Sequence, residues 1–327
     1  MLGGHSSRAF PARRREHRAA RSAPESRGVF VCGAAWHYPA HELALYSTAD
    51  CSAHGMSEAS KSTDLIDLSC IESWPASLLE VLDHHHHVLR TWEENFAKPP
   101  KDRTGFGDSG LDRINAPARA YDLAIRAVCD ALRPFAVRGW HCTRLTDWEV
   151  EAIIADGLAL PDAAMLARRI DRLVDDGALA PGTAARLKAE NQADDDNRTG
   201  RVWFCFFPPR LAGQRGIERF FRHWGGEALY NSHERDPVTS PALRAVGAPA
   251  LVAADVPIAL LESPLRTAFA VARRFVVSRG CATQEPIEHE DFITHVLPAT
   301  CVRRVIRFPD PDFLALTGSD NWKEPLA

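Results

Sequence analysis

The stretch Trp140-His141-Cys142-Thr143-Arg144-Leu145, followed by Thr146-Asp147-Trp148-Glu149-Val150-Glu151-Ala152-Ile153-Ile154-Ala155-Asp156-Gly157-Leu158, passes from strand to helix without a loop. Phe135–Cys142 reads as a strand. Thr146 and Glu149 have capping-box spacing, in which hydroxyl and carboxylate satisfy the free N–H groups of a helix start. Val150, Ile153 and Ile154 supply the buried helix face, and Gly157 is the natural left-handed terminator. Side chains two apart on a strand share a face, so His141 and Thr143 are presented together. The positive end of the following helix lies close by. Such a cleft suits a polar, anionic ligand, although a histidine on a strand is commonly a satisfied structural residue.

Outward from this stretch the chain divides into three parts. Residues 1–55 are rich in arginine (Arg8, Arg13, Arg14, Arg15, Arg18, Arg21, Arg27) with little apolar content among the first 29, and are expected to be disordered. No apolar h-region follows Arg13–Arg15, and a later start at Met56 accounts for this extension more simply than a targeting signal does.

Residues 56–133 read as an N-terminal helical layer. Pro75 suits a first helical position. Leu78, Leu82, His86, Leu89, Trp92 (or Glu93) and Phe96 follow a helical period, as do Tyr121, Ile125, Val128 and Leu132 between Ala116 and Pro134. Lys98–Gly110 reads as a linker. The His84–His87 tract reads as a partly solvated helix turn, since consecutive residues point to different sides and do not converge on one ion.

Residues 134–327 read as an α/β domain. Helices are expected around Met165–Val174, from Pro181, over Gly216–Tyr230 with Ile217, Phe220, Phe221 and Trp224 as its stripe, and over Leu265–Val276. Strands are expected at Val202–Phe207, Pro249–Val256, Phe292–Leu297 and Val302–Phe308, with a polar acidic loop at Gln192–Thr199.

The totals bound the function. A chain of 327 residues that is 45% apolar fills one or two ordinary domains, and a net charge of −4 gives no general reason to expect nucleic-acid or membrane binding. No apolar run approaches the ~20 residues of a membrane span. The eight cysteines are scattered, without a CxxC pair, which fits free thiols in a reducing cytoplasm and offers no zinc framework. There is no Walker pattern, GxSxG elbow or HExxH, so P-loop, typical α/β-hydrolase and zincin chemistries are not indicated.

The segment Trp140–Leu158 resembles the opening motif of the ADP-ribosyltransferase fold, shared by diphtheria-type toxins, poly-ADP-ribose polymerases, DNA-modifying toxin transferases and RNA 2′-phosphotransferases. Those families open with a strand carrying His-x-Thr or His-Gly-Thr/Ser, then a helix and a Gly-Leu. A later strand has the form Gly-x-aromatic-aromatic, which Gly200-Arg-Val-Trp-Phe204 resembles. A closing strand carries a Glu, as Glu288-His-Glu-Asp-Phe-Ile293 does. The likeness covers roughly residues 136–308 and implies an α+β fold with a mixed, largely antiparallel split sheet under the helical layer. It implies NAD as substrate, no metal, and an unknown protein or nucleic-acid acceptor. Small transferases of this fold also serve as toxins or in defence against phage.

Residue by residue, the resemblance implies that His141 hydrogen-bonds the adenosine-side ribose and that Thr143 steadies its strand. Trp203 or Phe204 stacks on nicotinamide, with Tyr230 a second candidate. Glu290, or failing it Glu288 or Glu285, binds the nicotinamide ribose. From its residue type alone Arg144 is a candidate phosphate ligand, or else an ion-pair partner of Asp147 or Glu151. The usual Tyr of the second strand is replaced by Trp203 and Phe204. An inactive nucleotide- or partner-binding module, or an unrelated α/β protein in which His141 is structural, are the alternatives. His223 and Glu227 have metal-ligand spacing on a continuous helix, but Gly225-Gly226 is expected to break it.

Overall fold

Residue alternation along Ala136–Leu145 decides how the sheet is covered. Val137 and Leu145 join one apolar core while Trp140 and Cys142 join another, so this strand is buried on both faces. A computed structural model describes residues 65–98, 115–283 and 289–326. The expected disordered extension, most of the linker, Glu285 and Glu288 lie outside the described residues. The strands are β1 (Leu65–Ile66), β2 (Ala136–Leu145), β3 (Val202–Cys205), β4 (Ala248–Pro257), β5 (Glu290–Ile293) and β6 (Val302–Arg307). They form an open mixed sheet in the order β5-β3-β2-β4-β6. Every pairing is antiparallel except that of β1, which runs parallel to the start of β2.

The pairing is uneven. Strand β2 matches β4 along its whole length, from Ala136↔Pro257 to Leu145↔Ala248. Against β3 it pairs at one position, Trp140↔Cys205. Beyond that point β2 and β3 separate, and the sheet is split at its centre.

Helices α1 (Ala76–Phe96) and α2 (Asn115–Leu132) pack with α9 (Pro264–Ser278) on one face of the sheet. Leu78, Leu82, Leu89, Ile125, Val128, Leu132, Val271 and Phe275 are buried there against Val137, Val252 and Val256. Each such aliphatic side chain contributes about 1.5–3 kcal/mol by leaving water. Glu93 is the polar member of the α1 stripe; it accepts a hydrogen bond from the Tyr121 hydroxyl and pairs with Arg273. The other face is covered by α6 (Gly213–Arg222) and α10 (Pro311–Thr317), through Ile217, Phe221, Phe313 and Leu316 on Trp140 and Leu251. A third core joins α4 (Ala163–Asp175), α5 (Pro181–Ala189), α7 (Glu227–His233) and α8 (Thr239–Ala245) beside the split, with α3 (Asp147–Asp156) leading from β2 toward it.

Several expectations need correction. The helix expected over Gly216–Tyr230 is two helices, because Gly225 and Gly226 both take positive φ and turn the chain between them. The strand expected from Phe292 begins earlier, at Glu290. Gly157 does have positive φ (89°), but its ψ of −160° is not that of a left-handed cap. It is required instead by a bridge in which Leu158 and Leu297 exchange backbone hydrogen bonds of 2.9 and 3.0 Å. Cys129, Cys142, Cys205, Cys281 and Cys301 are free thiols, as expected, but Cys70, half-buried in a turn and not in an apolar run, is disulfide-bonded. No helix of the described residues is long and apolar enough to cross a membrane.

Candidate functional site

Where β2 and β3 part, a cavity of about 580 Å³ opens, bounded by both strands, the start of β5, helices α3 and α4, and the Gly225-Gly226 turn. That volume fits a small-molecule or nucleotide ligand. His141, Thr143, Trp203, Phe204 and Glu290 all line it, although they come from three segments up to 150 residues apart.

His141 stands in the split. Its Nδ1 lies 2.9 Å from the Trp203 carbonyl oxygen, so the imidazole side chain bridges the two strands just beyond the point where their pairing stops. A carbonyl only accepts, which assigns the proton to Nδ1 and leaves Nε2 as an acceptor in the neutral ring. Burial lowers the His141 pKa, the Arg169 charge adds to that, and the bond to the Trp203 carbonyl opposes it. No group among the described residues hydrogen-bonds Nε2. The ring therefore offers one fixed acceptor to a ligand hydroxyl. Thr143, two residues on, is half-buried on the same face.

Trp203 and Phe204 leave β3 on opposite faces. Phe204 is buried, with its ring centroid 6.1 Å from that of His141. Trp203 is half-buried and packs against Phe292 at 4.6 Å. Glu290 opens β5 opposite Cys205, which in turn pairs with Trp140, so Trp140, Cys205 and Glu290 form one row across the sheet. Two interstrand spacings of about 4.8 Å put the strands bearing His141 and Glu290 roughly 10 Å apart, and because paired residues share a face Glu290 reaches the cavity from the Trp140 side of the sheet, opposite the face of His141. Of the three carboxylates considered from the sequence, Glu290 is the one within the described residues, and it lines the cavity.

Two sequence candidates are elsewhere. Arg144 does not line the cavity. It points to the face opposite His141 and Thr143, where its nitrogens donate to the carbonyls of Val246 (2.6 Å), Phe221 (3.0 Å) and Arg244 (2.5 Å). Burial, then the Arg244 charge, lower its pKa to about 10. It ties α6 and α8 to the sheet. Tyr230 is buried behind the cavity wall, donating to Glu227 Oε1 at 3.1 Å with Arg219 over its ring at 4.0 Å. Burial and the Glu227 carboxylate raise its pKa. Glu227 itself, with Gly225 and Gly226, faces the cavity. His223 is buried away from it, near Ser240 and Arg244, with burial as the main cause of a pKa lowered to about 4. Among the described residues no group of three or more His, Cys, Asp or Glu side chains is placed to hold a metal ion.

The sequence reading missed the charge of the cavity wall. Arg168, Arg169 and Arg172 on α4, with Arg198 and Arg201 from the loop before β3, all line it. Glu149, the capping-box residue, anchors this wall. Its buried carboxylate accepts from the Thr146 N–H (2.8 Å) and hydroxyl (2.9 Å), from Trp224 Nε1 (3.0 Å) and from Arg169 Nε (2.6 Å). Arg169 lies over the Trp224 ring and Arg172 over Trp148. Arg198 is 8% exposed; it meets Asp195 at 2.5 Å and Glu227 at 3.5 Å, yet its buried Nε makes no hydrogen bond. Buried Trp148 Nε1 is likewise without a partner. The visible signal was Arg168-Arg169-Ile170-Asp171-Arg172, whose cations share one helix side at spacings of three and four.

No family model, curated protein or solved structure matches this chain.

Proposed function

We propose that the chain is an NAD-dependent ADP-ribosyltransferase. One observation carries the reading: the imidazole, the aromatic pair and the carboxylate named from three separate motifs line a single cavity at the split between β2 and β3. In this reading His141 Nε2 accepts a hydroxyl of the adenosine-side ribose, and Thr143 steadies the strand beside it. Trp203 or Phe204 holds the flat nicotinamide, at low entropic cost for a rigid ring. Arg198, whose Nε is ion-paired with Glu227 at 3.5 Å without a hydrogen bond, would turn that N–H to a diphosphate oxygen in a charge-assisted bond. Glu290 lies along the nicotinamide ribose.

NAD supplies a glycosidic carbon already bonded to a positively charged nitrogen. The bond that breaks joins these two atoms, and its electron pair leaves with nicotinamide, which departs neutral. Positive charge then spreads over the ribose ring carbon and oxygen, as in glycoside hydrolysis. A fixed carboxylate at Glu290 stabilises that charge. The acceptor oxygen or nitrogen bonds to the same carbon, and its proton is released to solvent water.

Incubation of the purified protein with NAD, with nicotinamide followed by chromatography, tests the reading. Turnover by the wild type supports it; NAD binding without release would point to a binding module, and no binding at all to an unrelated α/β protein. His141→Ala is expected to weaken NAD binding by about tenfold, the value of one well-placed hydrogen bond of about 1.4 kcal/mol. Calorimetric titration checks this, and an unchanged Kd would return His141 to a structural role.

A further inference from the structure

Five arginines line the cavity against four carboxylates, Glu149, Asp156, Glu227 and Glu290, which leaves a small positive excess. Arg169 is matched by Glu149, and Arg198 by Asp195 and Glu227. Arg168 and Arg201 have no carboxylate within ion-pair distance among the described residues. Arg172 has Asp176 at 3.8 Å, a pair with both side chains half-exposed or more, which contributes little. Arg168 and Arg172 stand one helical turn apart on α4, an arrangement of like charges that disfavours a helix. Three cations with no close carboxylate, or only the weak pair with Asp176, thus gather at one cavity, whose lining also holds Asp156 and Glu290.

The chemistry of the wall narrows the ligand. All five cations are arginines, whose planar forks match phosphate oxygens two at a time. Two of the three unneutralised guanidinium groups lie over aromatic rings, Arg172 over Trp148 at 4.3 Å and Arg201 over Phe292 at 4.6 Å. Guanidinium planes and aromatic faces together are what unpaired bases stack on. Trp148 Nε1, buried and without a partner, adds a donor beside Arg172. An acidic peptide has use for the charge but none for the stacking faces.

We infer that the acceptor of the proposed transfer, and so resting on that reading, is single-stranded nucleic acid. Arg168, Arg172 and Arg201 hold its phosphates, and the two arginine–aromatic pairs take its bases.

The test is fluorescence anisotropy with labelled oligonucleotides of roughly 12 nucleotides, DNA and RNA, without NAD, against polyglutamate as the acidic-peptide control. Three phosphate contacts give a log–log salt slope of about −2, or about 16-fold weaker binding at 200 mM than at 50 mM salt. The double variant Arg168→Gln/Arg172→Gln is expected to bring the slope to about −0.7 and to weaken binding about tenfold or more at low salt. Both residues are at the surface, and a thermal melt of the variant certifies its fold. No oligonucleotide binding at 50 mM salt, polyglutamate bound as well, or an unchanged slope in the variant overturns the inference. Nicotinamide release by the wild type is measured separately. If it persists when oligonucleotides fail to bind, the transferase reading stands without this acceptor; if it is absent, both fall.

Discussion

Glu290→Gln is expected to lower nicotinamide release by about 100- to 1000-fold, some 2.7–4 kcal/mol in the barrier, while the Kd for NAD changes little. Gln keeps the shape and the strand position opposite Cys205, so β5 keeps its register. What is lost is the negative charge beside the ribose, and that charge matters most when the bond to nicotinamide is nearly broken. The effect should therefore fall on kcat. Single-turnover kinetics read this directly, with a thermal melt as the control. A variant that retains more than about a tenth of the wild-type rate would remove Glu290 from the chemistry, even if the protein consumed NAD.

A second large effect is expected far from any acid or base. In Gly157→Ala the new Cβ would stand 1.9 Å from the Leu297 carbonyl oxygen and 2.7 Å from backbone atoms of Pro298 and Ala299. No rotamer relieves a clash with backbone, and the φ of 89° is itself unfavourable for alanine. The paired hydrogen bonds between Leu158 and Leu297 would have to break, and with them the link between the end of α3 and the segment after β5. The loss expected is about 4 kcal/mol or more, roughly 8 °C or more in Tm for a domain of this size. Differential scanning fluorimetry checks it. A melting point within about 3 °C of wild type would show that the two segments separate without cost to the fold.

Legibility followed the length of each pattern. Helices α1, α2, α4 and α9 have two or more turns of apolar period, and each was readable. The seven-residue helices α8 and α10 have too few turns for a stripe to appear, and the two-residue β1 is shorter than any alternation. The capping box at Thr146 located α3 to the residue, but nothing local told that Glu149 would also hold Arg169 and Trp224. For the cavity, His141 and Thr143 were legible because strand alternation fixes their shared face. The same rule consigns Arg144 to the other side, which a reading by residue type alone overlooked. The arginines of α4 were invisible for a different reason. The polar side of an amphipathic helix looks the same whether it meets bulk water or a cleft, and only the folded neighbours decide. Tyr230 shows the reverse: its type suits a stacking role, and the turn at Gly225-Gly226 directs its ring into the interior.

Strands β2 and β3 meet at one register position and then diverge, and this bears on how the protein can evolve. Peptide groups along the gap are shared by every sequence that folds this way, and no replacement of a side chain deletes them. The side chains around the opening are then free to change and to retune which ligand is admitted. A lineage built on this gap would keep the frame of its cavity and would diverge fastest at the rim.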